Sequence, residues 1–349
     1  MNQRTLRPGE RIRVLVVDDS VVIRRLVSHA LEEAPELEVV GAASNGAIAL
    51  QRIPFLNPDV VTLDIEMPEM DGLETLRRIR REHPHLRVIM FSTLTERGAA
   101  ITLTALSLGA DDYVSKAANG GSLDQSLARL RQELVPKIRQ FFKVASPAKV
   151  EVARPAVAPK SFPRPARVLG IGISTGGPAA LAAILPTLPK DFPLPVLVVQ
   201  HMPPVFTRLL AERLNATCRI PAVEAAQGDP VIPGKIFIAP GDFHMKVASA
   251  GAAVRICLDQ SPPLNSCRPA VDALFASIAD VYGGAAIAMI MTGMGQDGML
   301  GARTLKALGA RILVQDEESS VVWGMPGAVV NAGLADCVLP LDKLVAEVL

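Results

Sequence analysis

No stretch of this 349-residue chain stays apolar for long. The run from Ala285 to Met291, seven residues, is as long as any, against the ~20 that a membrane-spanning helix needs. The segment MNQRTLRPGERIR at the amino terminus holds no apolar core of the kind a secretory signal carries. Cys218, Cys257, Cys267 and Cys337 form no CxxC pair, so buried reduced thiols are expected in place of disulfides or a zinc site. The formal net charge is +1, with no long run of one sign. That argues against the basic face a nucleic-acid binder presents. The sequence thus predicts a cytoplasmic protein with no nucleic-acid partner and no insertion into a membrane. Hydrophobic residues make up 49% of the chain and charged residues 20%, enough apolar material for two cores or three.

What the chain does have is an alternation of short apolar runs and amphipathic stretches, twice over. Strands are expected at 11–17, 37–43, 59–63, 88–91 and 113–114, with helices at 20–34, 45–53, 73–82, 96–108 and 123–134. Five βα units in one stretch imply a parallel sheet covered by helices on both faces. Residues 134–166 then hold six prolines, seven Lys or Arg and one acidic residue, the composition of an extended linker, assigned to 135–166, with room for the preceding helix to persist to about Phe142. From 167 to 349 the alternation resumes, with strands at 168–173, 196–200, 285–291 and 312–315 and helices at 178–188, 206–214, 271–282 and 301–308. Between Pro221 and Leu258, Gly-Asp-Pro, Pro-Gly and Pro-Gly-Asp punctuate short strands, which predicts hairpins. The second domain is therefore read as doubly wound, mainly parallel α/β, with an antiparallel hairpin insertion.

Asp18 and Asp19 follow the strand VLVV, and Asp64 follows VVTL. Ligands of open parallel sheets bind beyond the carboxyl ends of strands, so these carboxylates converge if the two strands are neighbours. Their mutual repulsion calls for a hard divalent cation such as Mg²⁺. Ser92 and Lys116 follow the fourth and fifth strands. A hydroxyl, a lysine and a metal-filled acid cluster can hold a phosphoryl group on a carboxylate. Asp64 suits as acceptor, since Asp18 and Asp19 are then left to hold the metal with it. Taken alone, Asp-Asp-Ser after a strand is no more than a helix N-cap, and a lone lysine at a strand end is a solvated charge.

Further on, LGIGISTGGPAALAAIL reads strand, glycine turn, helix. Gly170 and Gly172 begin a dinucleotide fingerprint, but Thr175 stands where its third glycine belongs, and the next strand ends in Gln200-His201 without an acid for a ribose. Gly172-Ile173-Ser174-Thr175-Gly176 fits the G-x-S-x-G turn that lifts a nucleophilic hydroxyl above a sheet, with glycines leaving room for a substrate. A serine nucleophile needs a base. His29, His83 and His85 lie in the first domain, which leaves His201 and His244. His201 ends a strand and is favoured by position. Asp297, in MTGMGQDGM after a third strand, is the candidate to orient it, with Asp242 and Asp229 as competitors that read better as turn residues. The residues alone give acyl hydrolysis without a substrate.

VLVVDDS, LDIEMPEMDGLE, the Ser92 strand end and DDYVSK resemble a response-regulator receiver domain over 11–134. The resemblance implies the flavodoxin-like (βα)5 fold, Mg²⁺, phosphorylation of Asp64 by a histidine kinase, and Tyr113 as a switch aromatic. Ala117 stands where that family usually has proline. IGISTGGPAAL, VVQHMPP, IAPGDFHM, RPAVDALFASIA, MTGMGQDGM and SSVVWGMP are similar to the chemotaxis protein-glutamate methylesterase family, CheB, across 167–349. That similarity implies a triad of Ser174, His201 and Asp297 acting on methylated glutamates of chemoreceptors, and deamidation of receptor glutamines. Donors near Thr175 and Met294 are then expected to meet the oxyanion. Cys267 stands where histidine is common before Arg-Pro. The domain order also implies that the unphosphorylated receiver restrains the hydrolase. The rivals are a receiver fused to a non-catalytic binding module, a DNA-binding regulator, and a receiver-linked esterase with another substrate.

Overall fold

The computed structural model describes residues 4–93, 95–116, 123–144, 165–251 and 253–349. Ala117 and most of the expected linker lie outside the described residues. The chain divides into two compact units, Gln3–Val150 and, in the main, Glu151–Leu349. None of the described helices is long and apolar enough to cross a membrane.

In the first unit, five parallel strands lie in the order Leu37–Ala43, Ile12–Val17, Val60–Asp64, Arg87–Ser92 and Asp112–Ser115. This is the 2-1-3-4-5 order of flavodoxin-like sheets. Val14 to Val17, Val60 to Leu63 and Val88 to Met90 are buried, as strands with helices on both faces must be. Each of the first four helices starts at a short polar side chain. Ser20, Asn45, Asp71 and Thr95 accept the amides of Ile23, Ile48, Glu74 and Gly98, which satisfies a donor that the helix itself leaves unpaired.

The expected boundary at 134 is too early. A helix runs from Leu123 to Arg139, and a strand Phe142–Val144 follows it and pairs in parallel with Arg4–Leu6. Leu134, Val135, Ile138 and Phe141 are buried. The expected persistence of a helix toward 142 agrees with this helix, while the proline and lysine count of the 134–166 window placed the boundary early.

In the second unit, seven parallel strands run in the order Ala222–Glu224, Ile236–Ile238, Val196–Gln200, Leu169–Ile173, Ile287–Ile290, Arg311–Gln315 and Cys337–Leu339. The hairpin reading of 221–258 holds for part of the stretch. His244–Ala250 and Ala253–Asp259 form the antiparallel pair, whereas Ala222–Glu224 and Ile236–Ile238 join the main sheet in parallel. Turn residues mark where the chain bends, not which partner a three-residue strand finds. The helix Met325–Asn331 and the edge strand Cys337–Leu339 are too short to show a periodic stripe in sequence.

The glycines of the Leu169–Ile173 strand serve packing. A Cβ on Gly170 would stand 2.9 Å from Ile278 Cδ1, and one on Gly172 2.4 Å from Val271 Cγ1. The helix Val271–Tyr282 thus lies tight against this strand. Room expected for a substrate is taken by that helix, and by Val321 at Gly176 and Gln200 at Gly177.

Candidate active site and acidic pocket

Chain connections run in opposite directions from the adjacent strands Leu169–Ile173 and Ile287–Ile290. Such a switch point opens a crevice at the carboxyl ends. Ser174 stands at the end of the first of these strands, in a turn closed by Gly176 at φ +79°. Ser174 N donates to Thr292 O at 3.0 Å, and Gly177 N to Ser174 O at 2.8 Å. Gln200 Nε2 also donates to Ser174 O, at 3.0 Å, so the residue before His201 steadies the Ser174 backbone. Gly293 comes so close that a Cβ there would be 2.7 Å from Ser174 Cβ. Met294, one residue on, is exposed. Thr175 O accepts from Thr292 Oγ1 at 2.9 Å.

His201 ends the strand next to that of Ser174, and its Nε2 bonds Asp297 Oδ2 at 2.8 Å. The Asp297 carboxylate is buried and accepts four further bonds. They come from the amides of Val271 at 2.6 Å, Asp272 at 3.1 Å and Gly298 at 3.0 Å, and from Asn265 Nδ2 at 3.0 Å. Val271 and Asp272 open the helix Val271–Tyr282, whose own N-cap, Ala270, brings no capping side chain. Asp297 therefore caps that helix from elsewhere in the chain, where a negative charge is favoured. Burial opposes its ionisation, yet the His201 ring and these amides hold its pKa below the usual value. Burial likewise opposes charge on His201, but Asp297 and Cys267 raise its pKa to about 9.

Among the described residues no hydrogen bond joins Ser174 Oγ to the ring. The second ring nitrogen, Nδ1, faces Cys267 Sγ at 3.5 Å. Apo active sites often show such unmade contacts. The competing histidine is spoken for: His244 is fully buried, with Nε2 on Pro262 O at 3.2 Å and Nδ1 accepting from Ala270 N at 3.2 Å. Asp242 pairs with Arg268 at 2.6 Å, and Asp229 accepts from Ala226 N at 3.0 Å, both as turn residues. All four cysteines are free, and half-buried where full burial was expected. Asn265, Asp272 and Gln200 were missed in the sequence. Nothing in the spacing of Asn265 ties it to Asp297, 32 residues away.

In the first unit the strands bearing Asp18 and Asp64 are neighbours. One carboxylate oxygen from each of Asp18, Asp19 and Asp64 lies within 4.8 Å of the others. Lys116 Nζ reaches Asp18 Oδ2 at 3.0 Å and Asp64 Oδ2 at 2.7 Å, and these two buried oxygens find no other donor. Burial foremost, helped by the charge of Asp18 and offset by Lys116, raises the Asp64 pKa to about 6. Oxygen atoms so placed, short of donors and disfavoured as anions, fit a hard divalent cation.

Ser92 is placed differently from expectation. It is buried, its Oγ donates to Gly98 O at 3.2 Å and accepts from Thr102 Oγ1 at 2.6 Å, and its neighbour Thr93 lines the pocket with Asp64 and Lys116. Tyr113 is buried on the adjacent strand, with Lys137 Nζ 4.8 Å from its ring centre. Burial pushes its hydroxyl well above the usual pKa.

The acidic pocket lies on the sheet of the first unit and the crevice on that of the second. The CheB methylesterase family matches residues 169–348, and the response regulator receiver domain matches residues 14–128. A protein-glutamate methylesterase/protein-glutamine glutaminase of Trichodesmium erythraeum is 49% identical, over 97% of this chain and 98% of the relative. One of the same description from Nocardioides sp. is 52% identical, over 98% and 95%. The crystal structure of the Thermotoga maritima CheB methylesterase catalytic domain, 45% identical, covers 52% of this chain and 97% of that one with a TM-score of 0.52. The chain belongs to the CheB methylesterase family.

Proposed function

We propose that Ser174 is the nucleophile, His201 its base and Asp297 the carboxylate that fixes the ring, in an enzyme that acts on methyl-accepting chemotaxis receptors. The chain is a protein-glutamate methylesterase and protein-glutamine glutaminase of chemotaxis, joined to a receiver domain. The roles are supported above all by the 2.8 Å bond between His201 and Asp297 at an edge shared with Ser174.

A carboxylate only accepts hydrogen bonds, so Nε2 carries the proton and Nδ1 is the basic nitrogen. Ser174 Oγ attacks the γ-carbonyl carbon of a methylated glutamate as its proton passes to Nδ1, in the place where Cys267 Sγ now stands. Amides near Thr175 and Met294 meet the oxyanion, each such donor contributing about 3 kcal/mol. Collapse expels methoxide, which takes the proton from Nδ1 and leaves as methanol. Water, deprotonated by the same nitrogen, then attacks the acyl carbon; the bond to Ser174 Oγ breaks as Nδ1 returns its proton to that oxygen, and the γ-carboxyl group is released. With glutamine the leaving group is ammonia. Because the ring must be neutral to act, and its pKa is raised, kcat/KM for methanol release should climb with pH through a limb at about 9. A rate flat from neutrality upward would remove His201 from the role.

In the receiver, Asp64 is the proposed phosphoryl acceptor from a histidine kinase, with Asp18, Asp19 and Asp64 holding Mg²⁺. The ion would neutralise the carboxylates and the phosphoryl oxygens. Lys116 pairs with Asp64, and Ser92 and Tyr113 would respond to the phosphate. Phosphorylation then relieves restraint of the hydrolase by the receiver. Free thiols agree with a cytoplasmic setting. The test is methanol release from methylated receptor membranes, with and without acetyl phosphate. Stimulation is expected, and Asp64→Asn should make the two rates equal. Stimulation that survives Asp64→Asn would place the phosphate elsewhere.

A further inference from the structure

We propose that Asn265 is a positioning residue for the catalytic pair, its amide lying between two buried carboxylates and keeping that of Asp297 turned to His201. The inference rests on the roles just assigned to His201 and Asp297. Asn265 Nδ2 lies 3.0 Å from Asp297 Oδ1 and 3.0 Å from Asp272 Oδ2. An amide NH₂ has two donors, and these two acceptors take both. The amides of Asp272 and Gly298 share Oδ1 with Asn265, the one side-chain donor there among the described residues, and Oδ2 is left for His201 Nε2 and Val271 N. Asp272 is itself buried, and its other oxygen accepts Gly301 N at 2.8 Å.

Two carboxylates side by side in a buried setting repel. Burial first, then the charge of Asp297, raises the Asp272 pKa. The titratable groups facing Asp297 are His201 from the strand end and Asp272 from the helix Val271–Tyr282, with Cys267 beyond the ring. Among the described residues no lysine or arginine pairs with either carboxylate, so the Asn265 amide is the side-chain donor that reaches both. The backbone is shaped to deliver it. Asn265 and Ser266 sit at φ +50° and +62°, in a turn closed by Leu264 N to Cys267 O at 3.1 Å and Cys267 N to Leu264 O at 2.8 Å. Left-handed conformations outside glycine are held where the surroundings fix them. Here the same turn sends Asn265 to the carboxylates and Cys267 to the imidazole.

The test is Asn265→Gly, which tolerates the left-handed backbone, alone and combined with Asp272→Asn, in the full-length enzyme. Asn265→Gly leaves the two carboxylates facing each other without a shared donor, and their unneutralised charge favours a protonated ring. Histidine-labelled NMR should show the His201 pKa raised, and the pH limb of methanol release should move up with it. At neutral pH kcat should fall on the order of tenfold with KM unchanged. Asp272→Asn in that background removes one charge, and should bring the pKa back and restore most of kcat. A His201 titration unmoved by Asn265→Gly, or a loss that Asp272→Asn does not reverse, would overturn the proposal. Failure of the wild-type enzyme to release methanol would instead strike the functional reading, and the NMR titration would still judge Asn265.

Discussion

Ser174→Ala should lower methanol release by a factor of about 10⁶, the scale on which serine hydrolases lose rate with their nucleophile. Alanine removes the oxygen proposed to form the acyl-enzyme and leaves the rest of the crevice in place. Ser174 is half-buried in a turn held by Thr292 O and Gln200 Nε2 through its backbone, so the fold should not notice the change. Methanol release and thermal unfolding measured on the same sample separate the two effects. A variant that keeps the wild-type rate would refute the assignment. Cys267, whose sulfur stands 3.5 Å from His201 Nδ1, would then be the next nucleophile to test, by Cys267→Ala.

The second large effect is at Asp297. Asp297→Asn should cost about 10⁴ in kcat, because an amide in place of the carboxylate no longer fixes the imidazole tautomer. Here the substitution reaches further. The carboxylate accepts from His201 Nε2, Val271 N, Asp272 N, Gly298 N and Asn265 Nδ2. An asparagine keeps one acceptor oxygen and turns an NH₂ toward some of these donors. A buried donor left unsatisfied costs about 1–3 kcal/mol, so Tm should fall as well. Rate loss without any loss of stability would mean that the capping of the helix Val271–Tyr282 is not energetic. An unchanged kcat would remove Asp297 from the mechanism.

Much of this was legible in the sequence, for a physical reason. Strands buried on both faces must be nearly continuous in Val, Ile and Leu, so VLVV, VVTL and VLVVQ declared themselves. The carboxyl ends of these strands, and of LGIGI, then marked Asp18, Asp64, His201 and Ser174 as candidates without any coordinates. Illegible were features that depend on what packs against what. Gly170 and Gly172 looked like part of a nucleotide turn and proved to admit Ile278, Phe275 and Val271. Ser92 stood at the right strand end, but its rotamer, held by Thr102 and Gly98, was not encoded in that position. Asn265 reaches Asp297 through a tight turn with two left-handed residues, a conformation that Asn-Ser-Cys does not advertise.

The short parallel pairing of Arg4–Leu6 with Phe142–Val144 bears on how the protein can be dissected. It fastens the start of the regulatory unit to its exit like a clasp. Cutting at residue 11 and residue 134, where motifs alone would place the scissors, discards both halves of the clasp and the buried Ile138 and Phe141 with them. The described part of this unit thus ends in a paired strand rather than at a free helix end.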